Sequence, residues 1–175
     1  TDEDGKATEL AARHVVIATG ARARDLPNAK ADGKRIWTYR HAMTPAELPS
    51  ELLVIGSGAI GIEFASFYND LGAKVTVVEM LDRIVPVEDK DVSDALAKSL
   101  TKQGMTLLTG AGVESLKPDA KGVAARIKTA DGLHDLLIRI GDLTLPEIER
   151  RSALPGTAAV VRDLGAERIR FVATS

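Results

Sequence analysis

One stretch limits what this chain can fold into more than any other. The apolar run Leu52-Leu53-Val54-Ile55 leads straight into Gly56-Ser57-Gly58-Ala59-Ile60-Gly61. An apolar run before a glycine turn and a helical pattern after it predict a buried strand, a tight turn and a helix. Phe64, Phe67, Tyr68 and Leu71 recur at helical spacing, and Gly72 ends the pattern. The three glycines have separate tasks: Gly56 makes the turn, Gly58 lets backbone approach a ligand with no side chain between, and Gly61 lets helix and strand pack closely. The amides at the helix start then face an anion, and a dinucleotide pyrophosphate fits that demand.

Ala73-Lys74-Val75-Thr76-Val77-Val78-Glu79 reads as a second short strand ending in an acid. Glu79 falls eighteen positions after Gly61. There a carboxylate accepts the ribose hydroxyls of the adenosine half and repels a 2′-phosphate, so NAD is expected over NADP. Two plainer readings stay open: an ordinary strand-to-helix turn for the glycines, and a solvated strand-end acid for Glu79.

Beyond Glu79 the pattern repeats. A helix is predicted from Asp89 to Gln103 with Val92, Ala95, Leu96 and Leu100 on one face, stopped by Gly104. Met105 to Leu108 reads as a third strand, Lys117 to Lys121 as a loop, and Gly122 to Thr129 alternates with period two into a turn at Asp131-Gly132. The expected fold class is α/β: a Rossmann-like parallel sheet with helices on both faces, plus a small antiparallel β piece. Upstream, Val15 to Ala18 reads as a fully buried strand ended by Gly20. Ala21 to Ser50 reads as a connection, with Thr44 capping a short helical turn begun by Pro45. Downstream, Leu136 to Ile140, a helix from Thr144-Leu145-Pro146-Glu147 and a strand from Arg168 to Thr174 make an atypical tail. The expected division is therefore 1–50, 51–132 and 133–175.

Composition narrows the function classes. A net charge of −2 with pI near 5.9 gives no basic excess, so neither nucleic acid nor an anionic membrane surface is expected as a partner. No apolar segment approaches the ~20 residues of a membrane span, and the first residues carry no signal pattern, so a cytoplasmic location is expected. The absence of cysteine excludes a disulfide, a thiolate metal site and a thiol nucleophile within this chain. No residue is assigned a catalytic or metal-ligating role. His14 and His41 read as surface or strand-end residues, Arg22 and Arg24 as solvated, and Trp37 and Tyr39 as anchors of the connection.

The order of motifs resembles the flavin- and NAD-dependent disulfide oxidoreductases, and most closely the dihydrolipoamide dehydrogenases, from about Ala12 to Gly132. Val15-Val16-Ile17-Ala18-Thr19-Gly20, Ala23-Arg24-Asp25-Leu26-Pro27, Pro49-Ser50-Glu51-Leu52, the glycine turn with Glu63, and Asp82-Arg83-Ile84-Val85-Pro86 carry the likeness. The resemblance implies a fragment of a two-dinucleotide-domain flavoprotein: residues 1–50 would close an FAD domain, and 51–132 would be the NAD domain. It implies a partial FAD site at Thr19, Gly20 and Ala21. It implies NAD contacts at Gly56, Ser57, Gly58, Ala59, Ile60, Gly61, Ile62, Glu63 and Glu79, and at Val113, whose counterpart lies against the adenine. Glu63 would lie near the nicotinamide and pair with a Lys beside the redox disulfide; its plainer reading is an acid favoured by the helix N-terminus. In the intact family, hydride passes between FAD and NAD in a homodimer within a 2-oxo acid dehydrogenase complex.

The sequence also departs from that family. It contains no second Gly-x-Gly-x-x-Gly for FAD, no Cys-x-x-x-x-Cys pair and no interface domain bearing the His-Glu pair. The segment Asp135 to Gly141 imitates the family's Asp-x-Val-Leu-Val-Ala-x-Gly strand while placing Arg139 where burial is expected. Val160 to Ser175 faintly resembles a helix-strand segment of the exopolyphosphatase and guanosine-pentaphosphate phosphatase family. Other readings are the NAD-binding part of a flavin-dependent NADH oxidase or ferredoxin reductase, and a non-enzymatic remnant or gene-junction product. On the leading reading, the isolated chain binds NAD but does not turn over lipoamide.

Overall fold

The computed structural model describes residues 3–24, 26–120, 122–139, 141 and 150. The expected tail helix at Thr144 and strand at Arg168 lie outside them. From Glu51 onward the elements are β1 (Glu51–Ile55), α2 (Ala59–Asp70), β2 (Lys74–Val78), α3 (Lys90–Lys102), β3 (Thr106–Leu108), β4 (Gly112–Pro118), β5 (Gly122–Thr129) and β6 (Gly132–Arg139), preceded by α1 (Tyr39–Met43).

The three strands linked by the two predicted helices run parallel in the order β1-β2-β3. Leu52 pairs with Val75, Val54 with Val77, and Val77 with Leu107. β2 is central, and Val75 and Val77 are 0% exposed. The expected burial of β1 needs correction: its residues are half-buried and Ile55 is 36% exposed. Among the described residues β1 has a single sheet neighbour, so one edge lacks the cover that a central strand receives.

The two sheet faces are covered by different material. Val75, Val77, Leu52, Val54 and Leu107 pack with Ile62, Ala65, Tyr68 and Leu71 of α2 and its cap and with Leu96, Ala97 and Leu100 of α3. Period-two alternation turns Leu53, Val78 and Leu108 the other way, onto Val113, Leu116, Ala125, Ile127 and Leu136. The expected helices on both faces are thus corrected in detail: α2 and α3 share one face, and the antiparallel sheet β4-β5-β6 takes the other. Val123, Ala125 and Ile127 of β5 point inward and Ala124, Arg126 and Lys128 outward, which is the predicted alternation.

Four local expectations fail for identifiable reasons. β4 shows no strand signal in the sequence because a bulge between Val113 and Ser115 breaks its alternation. On α3 the inward face is Ser93, Leu96, Ala97 and Leu100, while Val92 is 51% exposed. The helical turn expected at Pro45 lies earlier, because Thr38 caps α1 and Thr44 ends it. The imidazole Nδ1 of His41 accepts the Thr38 N–H at 3.0 Å, so this histidine belongs to the cap. Finally, Val15, Val16 and Ile17 are 81–86% exposed and form no strand, since a strand needs a neighbour to bond and none of the described strands lies beside them.

The segment after the expected boundary at 132 continues the same sheet. β6 pairs antiparallel with β5, Arg126 forms a bidentate ion pair with Asp135, and Arg139 is exposed. The desolvation cost anticipated for a buried Arg139 therefore does not arise. Past β6, the carbonyl of Gly141 accepts the Ser50 N–H at 2.6 Å, bringing the chain back to the start of β1.

Tyr68 ties the connection to this core. It is 1% exposed, meets Phe67 edge-on at 5.4 Å and Trp37 at 6.4 Å, and donates its hydroxyl to the Ala42 carbonyl at 2.7 Å. Burial pushes its phenol well above the usual range. Tyr68→Phe removes only that hydrogen bond and is expected to lower stability by about 1 kcal/mol in urea unfolding.

Candidate functional site

At the C-terminal ends of β1 and β2, the backbone conformation follows the glycine pattern. Gly56 adopts φ +95°, which favours glycine, and its N–H donates to the Val78 carbonyl at 2.8 Å. Gly58 caps α2, and its carbonyl accepts the Ile62 N–H at 3.0 Å. The amides of Ala59, Ile60 and Gly61 precede the first intrahelical bond and so have no acceptor within the helix. Gly58, Ala59 and Ile60 are exposed, and a Cβ built on Gly58 would meet nothing within 4 Å. A Cβ on Gly61 would instead collide with the Gly56 carbonyl and touch Val54. One glycine keeps space open above the turn, and another permits close packing beneath it.

Glu79 closes the site from β2. Its Oε2 accepts the Ser57 N–H at 2.8 Å and the Ser57 hydroxyl at 2.7 Å, and its Oε1 accepts the Leu81 N–H at 2.9 Å. The residue as a whole is only 9% exposed. Burial acts to raise its pKa, yet the donors from Leu81, Ser57 and Met80 together outweigh burial and hold it below the ordinary value. The main chain of Glu79 is held as firmly, donating to Leu108 and accepting from Ala111, both at 2.8 Å. Val113, half-buried at the start of β4, packs against the cluster that holds Val78, the residue before the acid.

The loop after Glu79 clasps the turn from a second side, a feature that the glycine spacing does not reveal. Val85 donates its N–H to the Ser57 carbonyl at 2.9 Å and accepts the Ser93 hydroxyl of α3 at 3.4 Å. It does so at φ +39°, a strained conformation for a β-branched residue. Ile84 beside it is 1% exposed. Apolar residues inside the Asp82 to Pro86 string were the available signal for a buried loop.

The family model for pyridine nucleotide-disulphide oxidoreductases matches residues 1–141. The chain belongs to that family. Among its relatives, a dihydrolipoyl dehydrogenase of Zymomonas mobilis is 54% identical over 129 residues, covering 74% of this chain and 28% of the relative. One from Rhizobium etli is 50% identical over 121 residues, covering 69% and 25%. The crystal structure of LpdA from Mycobacterium tuberculosis, 38% identical, superposes with a TM-score of 0.59 over 67% of this chain and 25% of that one. The chain thus spans about a quarter of the length of these pyridine nucleotide-disulphide oxidoreductases. A water-forming NADH oxidase from Lactobacillus brevis, solved with NADH bound, is 25% identical with a TM-score of 0.52 over 74% of this chain and 30% of that one.

The residues that the family resemblance singled out fall into two groups. Gly56 to Glu63, Glu79 and Val113 lie on the turn, the start of α2, the end of β2 and the start of β4, which meet at one end of the parallel sheet. Ile62 is buried in the core, and Glu63 is exposed on α2. Thr19, Gly20 and Ala21 are not drawn into this site: all three are exposed, and a Cβ on Gly20 would meet nothing within 4 Å. Among the described residues, no cluster suited to a metal ion and no helix long and apolar enough to cross a membrane is found.

Proposed function

We propose that residues 51–139 form the NAD-binding unit of a dihydrolipoyl dehydrogenase-like flavoprotein, with the pyrophosphate over Gly56 to Gly61. The observation that carries this reading is the clear space above Gly58 beside amides that lack helix acceptors. Ser57, Ala59, Ile60 and Ile62 shape the turn, Glu79 offers Oε1 to the adenosine ribose, and Val113 flanks the adenine. Glu63 faces the nicotinamide end. NAD, when bound, supplies the hydride acceptor, and the protein residues bind and orient it.

The intact enzyme, on this reading, is a homodimer that also carries FAD, to which Thr19, Gly20 and Ala21 would contribute from 1–50. With no cysteine among its 175 residues, this stretch holds no thiol for lipoamide chemistry. By itself it binds nucleotide and does not turn over. The NADH-bound oxidase supports NAD as the ligand while leaving the electron acceptor of the whole protein as the competing point.

Gly58→Ala tests the site. At φ −63° alanine is tolerated and its Cβ enters open space, so thermal stability should stay within about 0.5 kcal/mol of wild type. NAD affinity by calorimetry should nevertheless fall at least tenfold. An unchanged affinity would remove the pyrophosphate from this turn.

A further inference from the structure

Ser57 lies between the glycines, where the motif leaves the residue type free, yet it is 0% exposed and aims both of its donors at one oxygen. A carboxylate oxygen has two lone pairs, so the N–H and hydroxyl of Ser57 saturate Oε2 of Glu79. Oε1 has one well-placed donor, the N–H of Leu81, on a residue 54% exposed, while the Met80 N–H bears on the carboxyl with poorer geometry. The two oxygens therefore differ in what they can still accept.

The geometry points to Ser57 as a positioning residue: its hydroxyl fixes Oε2 inward and so presents Oε1 to the adenosine ribose. This rests on the reading that NAD lies over the turn. Without the hydroxyl, Oε2 keeps a single N–H donor, and the carboxylate can rotate or take up a proton. Ser57 touches no nucleotide in this scheme and acts only through Glu79.

The surroundings make Glu79 a clean reporter. The turn 56–58 and the segment 108–112, which exchanges main-chain hydrogen bonds with Glu79 and Leu81, carry no titratable side chain, and the nearby charges of its own loop, Asp82 and Arg83, lie 3.8 Å from each other. Glu63 on α2 and Glu114 on β4 are exposed. Hydrogen bonds keep the carboxyl below its ordinary value against the pull of burial, so deleting a donor must move its titration upward.

The test follows the Glu79 carboxyl carbon by NMR in nucleotide-free wild type and Ser57→Ala, then NAD binding by calorimetry across the acid range. In Ser57→Ala the carboxyl should titrate about one pH unit higher, the worth of one hydrogen bond to a charged group. NAD affinity at neutral pH should fall about fivefold, and its loss on acidification should begin about one unit earlier. Should Ser57→Ala fail to fold, Ser57→Cys keeps the volume with a weaker donor and should shift both readouts the same way by less. A variant that titrates and binds as wild type overturns the proposal. Wild type that binds no NAD, with the NMR shift still present, sinks the nucleotide reading and leaves the Ser57–Glu79 pairing standing.

Discussion

Glu79→Ala is expected to lower the unfolding free energy by about 3 kcal/mol and to remove measurable NAD binding. Three donors lose their acceptor at once: the Ser57 N–H and hydroxyl and the Leu81 N–H. Ser57 is fully buried, and each buried donor left unsatisfied costs about 1–3 kcal/mol. The two Ser57 donors alone account for about 2–6 kcal/mol, and water reaching the exposed Leu81 side keeps the loss toward the lower part of that range. Urea unfolding reads the first effect and calorimetry the second. A stability loss under about 1 kcal/mol would mean the donors find other partners. The loss also has a pH signature. Because the folded-state pKa is depressed, the stabilisation by Glu79 is present above the ordinary carboxyl value and disappears as pH falls through the folded value, so wild type and Glu79→Ala should converge in acid.

Gly61→Val is expected to act on the same turn from below. The first atom of any side chain at Gly61 collides with the carbonyl of Gly56, and Val54 stands 3.6 Å away. A backbone oxygen cannot rotate aside as a side-chain end can, so α2 must lift from β1 or the turn must reshape. Overpacking of this kind costs about 1–3 kcal/mol or more. The larger expected effect is on binding, a loss of at least a hundredfold, because the displaced amides of Ala59, Ile60 and Gly61 would no longer converge on a phosphate. Gly58→Ala provides the contrast, with stability retained and affinity lost. If Gly61→Val keeps both, the close approach of α2 to the turn is not what the function needs.

The parallel half of the fold was legible because its signals are local. Glycine at positive φ, helix-spaced aromatic residues and a strand ending in an acid are each properties of a few adjacent residues. Gly56, Gly72 and Glu79 stand where those rules put them. What sequence missed depends on partners distant along the chain. β4 hides behind a bulge, and the cover on the second sheet face is set by how β4, β5 and β6 pair and fold back over it. Val15 to Ile17 has the composition of a buried strand, but composition does not supply a neighbour. Likewise the spacing located Glu79 without revealing that Ser57 holds its inner oxygen, since a serine between two glycines carries no pattern of its own. The strained Val85 and its bond to Ser57 were equally silent.

The most direct measurement is a paired calorimetric titration of this chain with NAD and with NADP. Saturable binding of NAD and at least tenfold weaker binding of NADP are expected, with the preference lost in Glu79→Arg. Equal affinity for the two nucleotides, or no binding of either at millimolar concentration, would contradict it.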